Sequence, residues 1–338
     1  MKKLYIVGVC LLVIGSLLGG VVSAKPFYEG KVIKVICPTS PGGGYDFYAR
    51  LVGRGMEKHL PGSTIIVKNV PGAGHIIGTN EIYAAKPNGL TFGDFNKGLI
   101  ANQIVGTKGV RFDLAKMSWL GSAASEGMVL FCSTKAPFKN TEDVMKGDKE
   151  FRIAGSGIGA INHTFALLLK HMGVIPNLKM LTGYASGEAA QAMMRGDIHG
   201  WIGSYSTLKP MVDSGDAFVM LATGEDRDMS KDWPNVPLTR NLVPDPQEHA
   251  ALLDFMDVQQ VLGRPFVGPP GIPQDRLQIL REAFEKTLHD PKILAVAEKA
   301  EKPVFYIPGE KAEKLIKGAL QQPPELVELL KEIGVGAR

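Results

Sequence analysis

The stretch Lys31-Val-Ile-Lys-Val-Ile-Cys-Pro-Thr-Ser-Pro-Gly-Gly-Gly-Tyr-Asp46 constrains the fold of this chain more than any other. Val32, Ile33, Val35 and Ile36 form a β-branched run. Pro38 and Pro41 forbid its continuation, and Gly42 to Gly44 can take the positive φ of a tight turn. Phe47, Leu51, Val52, Met56 and Leu60 then recur at helical spacing. Strand, glycine-rich turn and helix joined in this way bring unpaired N–H groups and the positive end of a helix dipole to the turn, where an anion is favoured. Asp46 is placed either to cap the helix or to hold a water or a polar ligand group. Such a unit also occurs where nothing binds, so its repetition carries the argument. Thr64 to Val70 runs into Pro71-Gly-Ala-Gly74 and a helical stretch with Ile76, Ile77 and Ile82. Phe151 to Ala154 runs into Gly155-Ser-Gly-Ile-Gly-Ala160 and a helix from Ile161 to Met172. Loops of this kind lie at the carboxyl ends of strands in open α/β sheets, and three of them could line one cleft.

The 338 residues exceed what one core usually serves, so two domains are expected. Met1-Lys-Lys3, the uncharged apolar run Leu4 to Leu18 and the small-residue site Val22-Ser-Ala24 read as a cleavable signal peptide over residues 1–24. The competing reading, an uncleaved anchor, is weakened by Gly8, Gly15, Gly19 and Gly20. Loss of Lys2 and Lys3 leaves 36 of the 38 basic residues against 34 acidic ones. The charges are interspersed, as in Arg281-Glu-Ala-Phe-Glu-Lys286, which argues against a nucleic-acid partner. Cys37 and Cys132 each lie in an apolar strand run. They read as buried free thiols, with a disulfide as the alternative in an exported chain.

From 31 to about 224 strand-like runs (31–37, 64–70, 90–95, 117–123, 127–133, 151–155, 178–182, 199–203 and 218–223) alternate with helix-like ones (46–60, 75–85, 141–147, 161–172, 186–195 and 206–214). This is the pattern of an α/β fold with parallel-rich sheets between helices. Residues 225–247 lack a period and read as an irregular excursion. A helix near 248–259, a strand over 261–268, a helix opened by Pro273, helices near 291–300 and 310–319 around a strand at 303–307, and an amphipathic tail helix from Pro323 complete the chain.

Enzyme signatures are missing. Gly155 to Ala160 formally fits a dinucleotide loop, but Leu178 to Tyr184 holds no carboxylate for a ribose. None of the three loops has the lysine of a phosphate-binding loop, and G-x-S-x-G does not occur. The seven histidines show no metal spacing, so neither metal nor cofactor is expected. His163 is either a structural histidine or a donor to a bound anion. Tyr184 is either an interface aromatic or a ligand contact. The loops themselves carry no Arg or Lys, so an anion there would be held by backbone N–H groups, hydroxyls and water. Arg50 and Arg264 are the nearest cations by sequence and read as salt-bridge partners.

In order along residues 30–320, the motifs Val35 to Asp46 with Ala49-Arg50, Val67-Lys-Asn-Val-Pro-Gly-Ala-Gly74, Pro87-Asn-Gly-Leu-Thr91, Gly155 to His163, Tyr184-Ala-Ser-Gly-Glu-Ala189, Arg195-Gly-Asp-Ile198, Asn235-Val-Pro237 and Val267 to Pro273 resemble the periplasmic solute-binding receptors of tripartite tricarboxylate transporters, the Bug receptors. The resemblance implies a two-lobed clamp, each lobe a mostly parallel sheet flanked by helices. Lobe 1 would comprise 25–124 plus 243–338, and lobe 2 125–242. It implies a non-catalytic, monomeric periplasmic protein that closes on a small organic carboxylate and delivers it to a membrane permease. A sensor for a membrane signalling partner and a secreted enzyme acting on a carboxylate are the alternatives. Carried over residue by residue, the ligand site would comprise Thr39, Ser40, Gly43, Tyr45 and Asp46 of the first loop, Ala73 and Gly74 of the second, and Ser156, Ala160, His163 and Tyr184 of the other lobe. The chain departs from the family pattern at Thr39, Asn162, Ala185 and His199, so the ligand's identity does not transfer.

Overall fold

In the computed structural model, which describes residues 26–224 and 232–337, the strands form two sheets. The expected signal peptide and residues 225–231 of the irregular excursion lie outside the described residues. The first sheet contains β1 (Val32–Cys37), β2 (Thr64–Asn69), β3 (Thr91–Asp94), β4 (Ser118–Ser122), β10 (Pro265–Gly268) and β11 (Ile307–Pro308), in the order β11-β4-β10-β3-β1-β2. The second contains β5 (Met128–Ser133), β6 (Phe151–Gly155), β7 (Leu178–Thr182), β8 (Gly200–Ser204) and β9 (Ala217–Ala222), in the order β7-β6-β8-β5-β9. Both sheets are mixed. β2-β1-β3 and β7-β6-β8 are the parallel cores that the strand–helix alternation predicts, whereas β10 runs antiparallel to β3 and β4, and β5 antiparallel to β8 and β9.

Parallel pairing of β1 with β2, from Val32 opposite Thr64 to Cys37 opposite Asn69, brings the first two glycine-rich loops out at one sheet end. Strand alternation explains the layers. Ile33, Val35 and Cys37 face one core with Phe92, Phe266 and Phe284, while Ile36 faces the other with Ile82, Trp119 and Ile316. The helix Gly44–His59 buries Tyr48, Ala49, Val52 and Met56 on the first of these layers. Its Gly55 lies so close to Thr287 that any Cβ would collide with that side chain, which lets it pack directly on the helix Gln274–Leu288.

The second sheet is covered likewise, with Leu130 and Cys132 on one face and Val129 and Phe131 on the other. Leu252, Leu253, Phe255 and Met256 of the helix Ala250–Val261 join its core. So do Leu326 and Leu330 of the tail helix Pro324–Glu332, so the chain beyond 243 serves both sheets.

Three local readings change. A short helix, Leu99–Ile104, stands where none is expected. Leu99, Ile100, Ala101 and Asn102 are all buried, so the polar stripe that would betray a helix is missing. The strand expected at 303–307 shrinks to Ile307–Pro308, because Glu301 takes φ +52° and Pro303 follows. Pro273 is the N-cap of its helix rather than the first helical residue. Cys37 and Cys132 are free, buried and in different sheets. Burial pushes both thiols up, Cys132 to about 12.

Candidate functional site

The loops after β1, β2, β6 and β7 and the end of β8 surround a cleft of about 580 Å³. Thr39, Ser40, Gly43, Tyr45, Ala73 and Gly74 line it from the first sheet, and Ser156 and Tyr184 from the second. Asp46, Ala160 and His163 are not among its lining residues.

The first loop is braced from behind. The Gly42 N–H donates to Asp46 Oδ2 (3.0 Å), while Asp46 Oδ1 accepts from Arg50 Nη2 (2.9 Å) and Asn69 Nδ2 (2.8 Å). Asn69 Nδ2 also donates to the Thr39 carbonyl (3.0 Å). Asp46 therefore neither caps the helix, whose N-cap is Gly43, nor faces the cleft. Burial works to raise its carboxyl, but the hydrogen bonds from Arg50, Gly42 and Asn69 hold it below the usual carboxylate range. Beneath the same loop lies Arg264, which lines the cleft floor. Its Nη2 sits 2.8 Å from where a Cβ on Gly44 would stand, so glycine there makes room for the guanidinium. Arg264 stacks on the rings of Tyr45 (4.8 Å) and Tyr48 (5.1 Å) and pairs with Glu126 Oε2 at 3.0 Å, with both charged side chains buried.

The second loop is strained. Gly72, Ala73, Gly74 and His75 all have positive φ, and for Ala73 (50°) and His75 (77°) this costs on the order of 1 kcal/mol or more each. The His75 ring anchors the loop, because the Pro38 carbonyl 2.9 Å from Nδ1 can only accept. That leaves Nε2 unprotonated, and burial lowers the ring's pKa so that it stays neutral.

In the second sheet's loops the side chains turn inward. Asn162 Oδ1 accepts the Ser156 N–H (3.2 Å) and the His163 N–H (3.0 Å), and its amide donates to Ser156 Oγ (3.2 Å). Glu188 Oε2 accepts the Ala185 N–H (2.8 Å) at the start of the helix Ser186–Arg195. Ala160 is the buried N-cap of the helix Ile161–His171, and His163 is buried in its first turn, where burial lowers its pKa. His199 lies away from the cleft and accepts the Arg152 N–H at Nδ1 (3.1 Å).

The loops of the two sheets meet at the cleft's edge. Asn96 Oδ1 accepts the Ile161 N–H (3.1 Å), and Asn102 Nδ2 donates to the Gly159 carbonyl (2.6 Å). A Cβ on Gly98 would collide with Ile161 N, and one on Gly74 with the Ile158 carbonyl, so backbone packs on backbone here. The N–H that opens the helix Ile161–His171 is thus occupied by the other sheet's asparagine. Sequence reasoning missed Asn96, Asn102 and Trp201, the last of which also lines the cleft. The turn signal Asn96-Lys-Gly98 was the one available clue to the first two. Arg264 does form the expected salt bridge, and it lines the cleft as well.

Among the described residues no helix is long and apolar enough to cross a membrane, and no cluster of His, Cys, Asp or Glu is placed to hold a metal.

Known proteins agree with this architecture. The chain aligns with the periplasmic binding protein BugD at a TM-score of 0.74 and 20% identity, covering 91% of this chain and 99% of that one. It aligns with MatC from Rhodopseudomonas palustris, a structure with bound malate, at 0.70 and 19%, covering 90% and 98%. Among curated sequences it is 38% identical to a UPF0065 protein of Bordetella pertussis over 64 residues, which are 19% of this chain and 20% of that protein. The match thus spans about a fifth of that relative's length. The tripartite tricarboxylate transporter family receptor model matches residues 48–334, and the chain belongs to that family.

Proposed function

We propose that this protein is an exported, periplasmic receptor that closes two lobes around a small organic carboxylate and hands it to a membrane permease. The observation that carries the reading is the cleft itself. Loops from both sheets converge on one cavity of mixed polar and apolar lining and touch at its edge through Asn96, Gly98 and Asn102 on one side and Gly159 and Ile161 on the other. Lobe 1 is residues 25–124 plus the chain from about 262, and lobe 2 is residues 125–261, because Val243 and the helix Ala250–Val261 pack in the second sheet's core and move the expected boundary on from 243. The hinge crossings are then 123–127 and 262–264. Thr39, Ser40, Gly43, Tyr45, Ala73 and Gly74 present hydroxyls and backbone N–H groups to a carboxylate, with ordered water bridging. Ser156 and Tyr184 meet it from lobe 2, and Asp46 supports the first loop. Malate in the related MatC structure is a carboxylate of suitable size for such a cleft. Ligand that touches both lobes binds the closed state better than the open one and so shifts the population towards closure, which the permease reads. No chemical step is assigned to the cleft.

The test is a thermal-shift screen of protein unfolded and refolded to strip carried-over ligand, against mono-, di- and tricarboxylates, aromatic acids and acidic amino acids. A ligand that binds only the folded state adds about 2.7 kcal/mol at a hundredfold excess over its Kd. A clear rise in Tm with one class, and no consumption of the acid, supports the proposal. A flat panel from demonstrably folded protein, or turnover of a bound acid, refutes it.

A further inference from the structure

We infer that the ligand is a dicarboxylate, with one carboxylate on the lobe 1 loops and the second held in lobe 2 between the first turn of the helix Ser186–Arg195 and the indole N–H of Trp201. This rests on the carboxylate-receptor reading above and narrows its substrate class.

The lobe 2 helix opens into the cleft, where Ser186, Gly187 and Glu188 line it. The intrahelical bonds begin with the Ala189 N–H, which donates to the Ala185 carbonyl, and Ala185 as N-cap has no side-chain oxygen to take the N–H groups between them. Glu188 Oε2 takes only the Ala185 N–H (2.8 Å), ahead of the helix. The N–H groups of Ser186, Gly187 and Glu188 thus stand at the cleft, with the positive end of the helix dipole, and have no acceptor among the described residues. Ser186 Oγ lies 3.3 Å from where a Cβ on Gly43 would stand, so this helix start faces the first loop across the cleft.

A separate donor needs an acceptor in the same place. Trp201 of β8 lines the cleft, packs beneath this helix with Ala189 and Ala192, and is only 4% exposed. Its indole N–H can only donate, and among the described residues it has no partner. Nε1 lies 2.6 Å from where a Cβ on Gly203 would stand, and Gly203 lines the cleft too, so the glycine keeps a side chain out of the space beside that N–H.

A buried donor left unpaired is costly, which makes an acceptor on the ligand a condition of tight binding. Backbone N–H groups and an indole N–H accept nothing. A ligand ending in a methyl group would leave them unpaired, and one ending in an ammonium would set donor against donor. A carboxylate accepts at both oxygens and brings the charge that a helix start favours. The Glu188 carboxylate opposes that charge, but it is exposed and screened by water. Trp201 is accordingly a specificity residue, selecting a ligand with an acceptor at its far end.

The experiment is isothermal titration of refolded wild type, Trp201→Phe and Gly203→Ala with two matched series: adipate, hexanoate and 6-aminohexanoate, and terephthalate, benzoate and 4-(aminomethyl)benzoate. In whichever series binds, the dicarboxylate should bind wild type at least about tenfold more tightly than either partner, the scale of hydrogen bonds to a charged group. Trp201→Phe keeps an aromatic ring and removes the N–H, and should shrink that preference about fivefold or more, whereas a merely structural role would weaken all three ligands alike. Gly203→Ala, which crowds Nε1 without removing it, should shrink the preference in the same direction. A monocarboxylate or an amino acid that binds wild type as tightly as the dicarboxylate, or variants that weaken all ligands equally, overturns the inference while leaving the receptor reading intact. If no acid of either series binds, the receptor reading falls and this inference falls with it.

Discussion

The two walls of the cleft are built from the same unit, strand, glycine-rich loop and helix, and yet their polar side chains are set differently around it. In lobe 1 the charged and amide side chains stand behind the loops: Asp46, Arg50 and Asn69 brace the first, and the His75 ring ties the second to Pro38. In lobe 2 the side chains fold back over the loop ends, with Asn162 over the third loop and Glu188 over the start of the helix Ser186–Arg195. In both walls an acidic side chain holds one N–H ahead of the helix, Gly42 by Asp46 and Ala185 by Glu188, so what each turn can offer an anion is the N–H groups of the first helical turn.

The walls are most sensitive to substitution where they touch. Gly98 has an ordinary helical φ (−62°), so alanine suits its local backbone, but the added Cβ would collide with Ile161 N across the cleft edge. Gly98→Ala should weaken ligand binding by about 2–3 kcal/mol, the scale of overpacking, with little change in the Tm of ligand-free protein. Calorimetry on both forms would check it, and undiminished affinity would show that this edge does not close on the ligand.

Removing the brace of lobe 1 comes next. Asp46→Ala should cost about 2 kcal/mol, through loss of hydrogen bonds to a charged group, and weaken carboxylate binding without unfolding the protein. The sign of the pH dependence follows from the lowered pKa. The stabilisation is present above the unfolded carboxylate's range and is lost as pH falls through the folded value, so wild type and Asp46→Ala should converge in Tm at acid pH.

Asp94, at the buried end of β3 in the same lobe, behaves in the opposite way. Burial raises its carboxyl well above the usual range, so its folded form holds a proton that the unfolded chain releases, and its contribution to stability falls as pH rises. Asp94→Asn should therefore raise Tm at pH 8 by more than at pH 4, by about 1 kcal/mol or less of added stability once the lost carboxyl contacts are counted. Thermal melts at the two pH values decide it, and a loss of stability at pH 8 would contradict the assignment. The smallest effect belongs to lobe 2. Ser156→Ala removes the acceptor of the Asn162 amide and a hydroxyl that faces the ligand, and should cost about 1 kcal/mol or less in both stability and ligand affinity, read by thermal melts and calorimetry.

The loops that build lobe 1's wall were legible in the sequence because proline and glycine punctuate them: Pro38, Pro41 and Gly42 to Gly44 end β1, and Pro71 to Gly74 end β2. Asp46 was legible as a residue of consequence but not in its role. Capping, ligand contact and bracing differ only by where Asn69, 23 residues on, places its amide. The contacts between the walls were not legible. Asn96 meets Ile161 and Asn102 meets Gly159 at separations of 65 and 57 residues, and Arg264 meets Glu126 across 138. No local period encodes such pairings. The helix Leu99–Ile104 that carries Asn102 was hidden for a related reason, since a segment buried on every side shows no amphipathic stripe.

Closure of two lobes on a carboxylate should be visible by small-angle scattering. Refolded wild type and Gly98→Ala would be measured with and without whichever carboxylate stabilises the wild type. Ligand should lower the radius of gyration of the wild type and leave that of Gly98→Ala unchanged at the same concentration. A wild type that binds its carboxylate without becoming more compact, or a Gly98→Ala protein that compacts as readily, would contradict it.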